Sequence, residues 1–131
     1  MSSRVAACSC GQLRVTCEGE PVRVSICHCD ACQKRTGSAF GAQARWAESA
    51  VRIEGNERQW TRIAESGNLV TFRFCAVCGA TVYWTLAVLP NFVAVALGAF
   101  ADATFPAPLV SVYDVHRHPW VKLPDDIEHI D

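Results

Sequence analysis

The sequence is dominated by one stretch, Cys27-His28-Cys29-Asp30-Ala31-Cys32, which lies between two further cysteine clusters. The earlier cluster is Cys8-Ser9-Cys10-Gly11, and the later one is Cys75-Ala76-Val77-Cys78-Gly79. Together the three clusters hold seven of the eight cysteines. A closed structural zinc site takes four ligands, whereas a catalytic zinc site takes three and keeps one position open. The count therefore suggests one zinc that holds the fold and a second zinc that can still bind another molecule.

Glycine follows the two outer clusters but not the middle one. A tight Cys-x-Cys or Cys-x-x-Cys turn delivers two sulfurs to one metal, and Gly11 and Gly79 tolerate the positive φ that such a turn needs. This asymmetry favours a four-sulfur site made from the outer clusters, with the middle cluster left as an open three-sulfur set. Spacing alone leaves other pairings open, and it also leaves open a fourth ligand from His28, His116 or His118.

Bulk properties restrict the class of protein. The 131 residues are expected to form one domain, residues 1–131, and half of them are hydrophobic. The formal net charge is −1 without a long run of one sign, so neither a nucleic acid nor a membrane is expected as a partner. The N-terminus carries no apolar signal-peptide stretch, which makes a cytoplasmic location the expectation. In that compartment cysteine clusters more often bind metals than form disulfides, although an even number of cysteines keeps the disulfide alternative open.

Period-two alternation of apolar residues indicates strands with one buried face. The apolar residues that alternate with polar ones fall into four groups: Leu13, Val15 and Cys17; Val22, Val24 and Ile26; Val70, Phe72 and Phe74; Val82, Trp84 and Leu86. The run from Phe92 to Leu97 is continuously apolar, which predicts a strand covered on both sides. A last strand is expected near residues 110–113.

Helical periodicity is weak, with single turns expected near residues 30–35 and 47–50. Turn-forming residues occur where hairpins need them, at positions 18–21, 54–56, 66–68 and 89–91. Several short strands between such turns predict a mainly β fold, an antiparallel sandwich or open barrel.

The motifs resemble those of the glutathione-dependent formaldehyde-activating enzyme family, also called the centromere-protein-V/Gfa domain. The resemblance is carried by the three clusters in order, by the middle motif from Cys27 to Phe40, and by the ending His118-Pro119-Trp120-Val121-Lys122-Leu123-Pro124. It implies an antiparallel zinc-bearing β-sandwich or half-barrel of the type called Mss-four-like, with two zinc ions per chain. The residues that match the family's structural zinc ligands are Cys8, Cys10, Cys75 and Cys78. The residues that match the catalytic zinc ligands are Cys27, Cys29 and Cys32.

The same resemblance implies a carbon–sulfur lyase activity, in which glutathione adds to formaldehyde and gives S-hydroxymethylglutathione. That reaction also proceeds without an enzyme. A zinc ion with three thiolate ligands carries a net charge of −1 and acidifies a bound water less than a zinc held by three histidines, so such a centre suits an incoming thiol. Glutathione or another thiol is therefore the expected co-substrate and an aldehyde its partner, with Lys34, Arg35 or Arg117 as candidate cations for the thiol's carboxylates. Thr36 and Ser38 are candidate hydrogen-bond partners of the ligand.

Several of these residues also have a purely structural interpretation. Lys34 and Arg35 are predicted to be solvated charges, and Thr36 and Ser38 to close the turn at Gly37. His28 is predicted to point away from the neighbouring sulfurs, and Cys17 to be a buried, unreactive thiol. The aromatic residues predicted to lie in the core rather than in a pocket wall are Phe40, Trp46, Trp84 and Trp120. Two other functions stay open: a non-enzymatic zinc-binding module, and a sensor whose three-cysteine cluster is reversibly oxidised or metallated.

Overall fold

The protein folds into two β-sheets that share a core. The computed structural model describes residues 2–131. The smaller sheet has three antiparallel strands in the order β1-β2-β5. Its strands are β1 (Ser3–Ala7), β2 (Arg14–Glu18) and β5 (Val51–Glu54).

The larger sheet has eight strands in the order β11-β10-β3-β4-β9-β8-β7-β6. Their bounds are β3 (Arg23–Cys27), β4 (Gly41–Ala47), β6 (Glu57–Ile63), β7 (Leu69–Cys75), β8 (Thr81–Leu86), β9 (Phe92–Ala96), β10 (Val110–Val112) and β11 (Glu128–Ile130). The pairings are antiparallel except at one edge, where β10 runs parallel to both β3 and β11. The mainly β class is thus confirmed, and the sheet is mixed at that edge rather than antiparallel throughout.

The main core lies between the two sheets. Val15 and Cys17 of β2, and Leu13 just before it, are fully buried against side chains of the larger sheet, among which Trp46 is 1% exposed. Burial of such apolar side chains is the dominant favourable term in folding. The first predicted alternation is therefore confirmed, and so is the core position of Trp46.

The opposite face of the larger sheet carries a second apolar cluster made of Val70, Phe72, Trp84 and Ala94. Strand β9 is consequently covered on both sides, because Val93 and Val95 belong to the main core while Ala94 belongs to this cluster. That outcome confirms the expectation from the continuous apolar run. The one residue of the predicted alternations that is clearly exposed is Val22, at 62%, because β3 begins only at Arg23.

A single α-helix in the described part of the chain, α1 (Asp30–Thr36), follows β3. Cys29 caps its N-terminus, since the Cys29 Sγ accepts a hydrogen bond from the backbone N–H of Cys32 at 3.4 Å. Gly37 ends the helix in the left-handed conformation, with φ of 69°. Three short 3₁₀ turns lie at Glu48–Ala50, Leu97–Phe100 and Asp114–His116. Within residues 2–131, none of the helices combines the length and apolar character needed to cross a bilayer.

Candidate metal centres

The two outer cysteine clusters meet at one end of the sandwich. Cys8 and Cys10 follow β1, Cys75 is the last residue of β7, and Cys78 lies in the turn before β8. All four sulfurs lie within 4.8 Å of one another. The Cys8–Cys10 and Cys10–Cys75 sulfur distances are 3.6 and 3.7 Å. A tetrahedron with zinc–sulfur bonds of about 2.3 Å has edges of about 3.8 Å, so this donor set fits one tetrahedral metal ion.

Backbone N–H groups surround the sulfurs of this four-cysteine cluster. The N–H of Leu13 donates to Cys8 Sγ, and those of Val77 and Cys78 donate to Cys75 Sγ, each at 3.3 Å. Gly11 and Gly79 have φ of 86° and 80°, which is the conformation that the sequence predicted for the two turns.

These donors favour the thiolate form of Cys75. Burial alone would raise the pKa of the Cys75 thiol, but hydrogen bonds from the N–H of Cys78, the side chain of Gln12 and the N–H of Val77 lower it to about 5. Thiolates are the form that binds metals, so Cys75 in particular is prepared to bind a cation, whereas the neighbouring sulfurs raise the pKa of Cys10.

Gln12 is a supporting residue that the sequence reasoning missed. Its Nε2 donates to Cys75 Sγ at 2.9 Å and to the carbonyl oxygen of Asn56 at 2.7 Å, while its Oε1 accepts from the N–H of Asn56 at 2.8 Å. Its position two residues after Cys10 carries no recognisable signal, since the contacts depend on how β1, β5 and β7 come together.

The middle cluster forms a second, separate group. Cys27 ends β3, Cys29 caps α1 and Cys32 lies in its first turn, and their sulfurs are all within 4.8 Å of one another. The three side chains are buried, with relative exposures of 6, 5 and 8%. In residues 2–131 no histidine or carboxylate joins either sulfur group as a further candidate ligand. The three-sulfur set therefore offers one ligand fewer than a closed tetrahedral site requires.

The pKa values of the three thiols are shifted in different directions. Hydrogen bonds from Cys27 and Cys32 lower the pKa of Cys29, and the positive charge of Arg62 lowers it further. Conversely, the hydrogen bond to Cys29 raises the pKa of Cys27. A metal ion bound by these three sulfurs would displace the thiol protons, because thiolates are the form that binds metals.

Val112 and Tyr113 pack against this three-cysteine cluster from the β10 side, together with Ala31 from α1. Tyr113 has φ of 51°, a left-handed conformation that is costly for a bulky residue. The tyrosine ring is thus held beside the sulfurs by a strained segment of backbone.

The histidines flank the middle cluster without reaching the sulfurs. His28 is fully buried, and its Nε2 lies 2.9 Å from Ser111 Oγ. Because the Ser111 hydroxyl donates its one proton to Asp114 Oδ1 at 2.7 Å, the His28 Nε2–H must be the donor to Ser111. His118 Nε2 is 2.8 Å from Gln33 Oε1, and His116 Nδ1 is 3.6 Å from an Asp30 carboxylate oxygen.

The structure confirms some of the remaining expectations from the sequence and contradicts others. Cys17 is buried in the main core, where burial raises the pKa of its thiol to about 12, in keeping with an unreactive residue. Thr36 Oγ1 accepts the N–H of Ser38 at 3.1 Å and so closes the turn at Gly37. Lys34 is exposed as expected, but Arg35 is not a solvated charge, because its guanidinium lies 4.3 Å from the centre of the Trp84 ring.

Two of the predicted core aromatics behave differently from expectation. Trp120 is 65% exposed and contacts His118 edge-on, so its core assignment is wrong. Phe40 is half-buried and lines a cavity between α1 and β4. The structure contains no disulfide bond among the eight cysteines, and seven of their sulfurs lie in two groups that could hold a metal ion.

Comparisons with known proteins agree with this arrangement. No curated protein matches the chain. A Rhodobacter sphaeroides protein, solved as a structural genomics target, has the same fold with a TM-score of 0.58 and 17% identity, over 76% of this chain and 90% of its own. The sequence profile of the family described as "Glutathione-dependent formaldehyde-activating enzyme" matches residues 3–116. The chain therefore belongs to the glutathione-dependent formaldehyde-activating enzyme family.

Proposed function

We propose that this protein is a zinc-dependent carbon–sulfur lyase that adds glutathione, or a related thiol, to formaldehyde or a similar aldehyde. The observation that carries the proposal is the three-sulfur group of Cys27, Cys29 and Cys32, to which the described part of the chain adds no fourth ligand. Family membership supports formaldehyde and glutathione as the class of substrates.

The two sulfur groups are proposed to hold zinc in different roles. Cys8, Cys10, Cys75 and Cys78 form a closed four-sulfur set that joins β1 to the β7–β8 hairpin, which suits a structural ion. Zinc bound by Cys27, Cys29 and Cys32 would supply an open coordination position and lower the pKa of a thiol that takes it.

The residues around the middle cluster suit a thiol addition. Val112, Tyr113 and Ala31 pack around the sulfurs, and the three cysteines are at most 8% exposed. Hydrogen bonds from Cys27 and Cys32, with a smaller contribution from the positive charge of Arg62, lower the pKa of Cys29 and so favour its thiolate form. In the reaction the thiolate sulfur bonds to the aldehyde carbon, the carbonyl π pair moves to oxygen, and that oxygen takes up the proton that the thiol lost.

The proposal is tested by exchange NMR, which measures interconversion of formaldehyde and S-hydroxymethylglutathione against the spontaneous rate. We expect the zinc-loaded protein to accelerate the exchange and Cys29→Ser to return it to the spontaneous rate. Cys17→Ala is the matched control, because this cysteine lies outside both sulfur groups. Exchange at the spontaneous rate with the zinc-loaded wild-type protein would refute the proposed activity.

A further inference from the structure

A groove runs along the face of the larger sheet that carries α1. Two adjoining cavities of about 290 and 500 Å³ share Arg35, Trp60 and Phe72 as lining residues, and we call them together the Arg35 groove. One end is bounded by Ala31, which also packs against the three-cysteine cluster. The other end reaches Gly79, next to Cys78. The groove therefore starts beside the middle cluster and extends away from it along the sheet.

Within residues 2–131 no carboxylate forms an ion pair with Arg35, and the negative group that its charge acts on is the thiolate form of Cys32. Its guanidinium carbon lies 4.3 Å from the Trp84 ring centre and 5.6 Å from that of Phe72. Its Nε and Nη2 atoms are buried and have no hydrogen-bond partner. A Cβ atom at Gly41 would lie 2.7 Å from Nη2, so the guanidinium occupies space that only a glycine leaves free. Holding a cation in this way is costly unless a negative group approaches it.

The remaining lining of the groove is cationic and aromatic. Lys34 and Arg62 line the smaller cavity together with Arg35, and none of the described residues that line either cavity is acidic. Trp60 is 59% exposed and stacks on Phe72, with ring centres 6.2 Å apart. Cations beside a flat aromatic surface suit a ligand that combines a carboxylate with planar peptide groups.

We propose that the Arg35 groove binds the carboxylate end of a thiol-bearing peptide, with Arg35 as the residue that selects acidic over neutral thiols. The inference rests on the proposed function, in which the ligand's sulfur reaches the middle cluster at the Ala31 end of the groove. The ligand's carboxylate pairs with the guanidinium, and its peptide backbone lies over Trp60 and Phe72.

Calorimetric titration of the zinc-loaded full chain separates this subsite from the metal. Three probes are used: glutathione; S-methylglutathione, which keeps both carboxylates but has no free thiol; and glutathione diethyl ester, which keeps the thiol but has no carboxylate. We expect S-methylglutathione to bind the wild-type protein. Arg35→Gln should weaken binding of S-methylglutathione and of glutathione by roughly tenfold or more, and leave binding of the diester unchanged.

Two further variants make the test specific. Arg35→Lys keeps a positive charge but loses the planar guanidinium, so we expect it to lose less affinity for S-methylglutathione and glutathione than Arg35→Gln does. If Arg35→Gln does not fold, Arg35→Lys replaces it in the test. Arg52→Gln is the matched control, because Arg52 is an exposed arginine on β5, in the other sheet. It should bind all three probes as the wild-type protein does.

The inference is overturned if S-methylglutathione fails to bind the wild-type protein, or if the folded Arg35 variants bind it with unchanged affinity. It is also overturned if Arg35→Gln weakens the binding of the diester as much as that of the free acid.

These outcomes can be distinguished from failure of the proposed function. Binding of S-methylglutathione that depends on Arg35, without any accelerated exchange in NMR, supports the groove and contradicts the reaction. Accelerated exchange with an unchanged KM for glutathione in Arg35→Gln supports the reaction and contradicts the groove.

Discussion

Gln12 Nε2 donates to Cys75 Sγ across 2.9 Å, although the two residues are 63 positions apart in the sequence. The same amide group pairs with both backbone polar groups of Asn56. One side chain thus connects the first cysteine turn, the β5–β6 turn and the end of β7. A hydrogen bond of this kind orients the cysteine side chain, and it would tune the charge of Cys75 from outside the coordination shell of the zinc proposed at this group.

Replacing Gln12 by alanine should weaken both the fold and the four-cysteine site. We expect a loss of about 1 kcal/mol in the free energy of unfolding and a loss of roughly tenfold or more in zinc affinity at that site. Urea unfolding measures the first quantity, and competition with a chelator measures the second. Gln59→Ala is the control, because Gln59 is an exposed glutamine on β6 and should change neither. Unchanged zinc affinity in Gln12→Ala would show that the amide does not support the site.

Gly55 is required by the close approach of the chain to Gln12. It has φ of 116°, and a Cβ atom there would lie 2.2 Å from the Gln12 carbonyl oxygen and 2.8 Å from Leu13 Cα. Gly55→Ala should therefore destabilise the protein by about 2 kcal/mol or more in urea unfolding. Gly67→Ala is the matched control, because Gly67 has φ of 88° but nothing within 4 Å of the added Cβ. That variant should lose only about 1 kcal/mol, and equal losses would contradict the clash.

Tyr83 should make stability sensitive to alkaline pH. Burial raises the pKa of the Tyr83 hydroxyl, and so does its 2.6 Å hydrogen bond to Glu57. Because the folded-state pKa lies above that of the unfolded chain, about 10, this contribution to stability is complete below about pH 10 and is lost as the pH rises.

The pH effect is measured as the difference in unfolding free energy between the wild-type protein and Tyr83→Phe. We expect this difference to shift against the wild-type protein by up to about 1.4 kcal/mol per pH unit above about pH 10. The subtraction removes alkaline effects that both proteins share. A difference that stays constant from pH 8 to 11 would mean that Tyr83 ionises equally easily in both states.

The two sulfur groups should respond differently to loss of a cysteine. Cys75→Ser removes a sulfur from the group that joins β1 to β7, so we expect a lower melting temperature and lower solubility. Cys29→Ser should leave the fold largely intact while removing the second zinc. Melting curves and zinc content of the two variants check this pair of outcomes. If Cys29→Ser unfolds the chain as badly as Cys75→Ser, the assignment of structural and open sites is incorrect.

The sequence analysis predicted most of the strands that alternate, but it missed β4, where the buried Ala44 and Trp46 alternate with Gln43 and Arg45. It also missed strands that show no alternation. Strand β6 lies at the edge of the larger sheet and its residues are mostly exposed, so it shows no apolar alternation. Strand β11 lies at the opposite edge, and its three residues are exposed. It therefore also lacks the apolar alternation from which a strand can be predicted. The parallel pairing of β3 with β10 joins segments about 85 residues apart, and no local pattern encodes such a contact.

The cysteine groups were predictable because metal ligands repeat at short spacings within one turn. The residues around them were not, since their roles depend on tertiary contacts. From the sequence, Arg35 is expected to be a solvated helix residue. In the fold its guanidinium lies over the Trp84 ring and occupies the space left free at Gly41. Gln12 likewise gains its partners only when three separate segments meet.

The most direct test of an open second metal site is the zinc content of the wild-type protein before and after mild chelation, with near-ultraviolet circular dichroism as the measure of folding. Two zinc ions per chain are expected, falling to one with the fold retained and the accelerated exchange lost. Two ions that resist chelation equally, or that leave together as the protein unfolds, would contradict an open site at Cys27, Cys29 and Cys32.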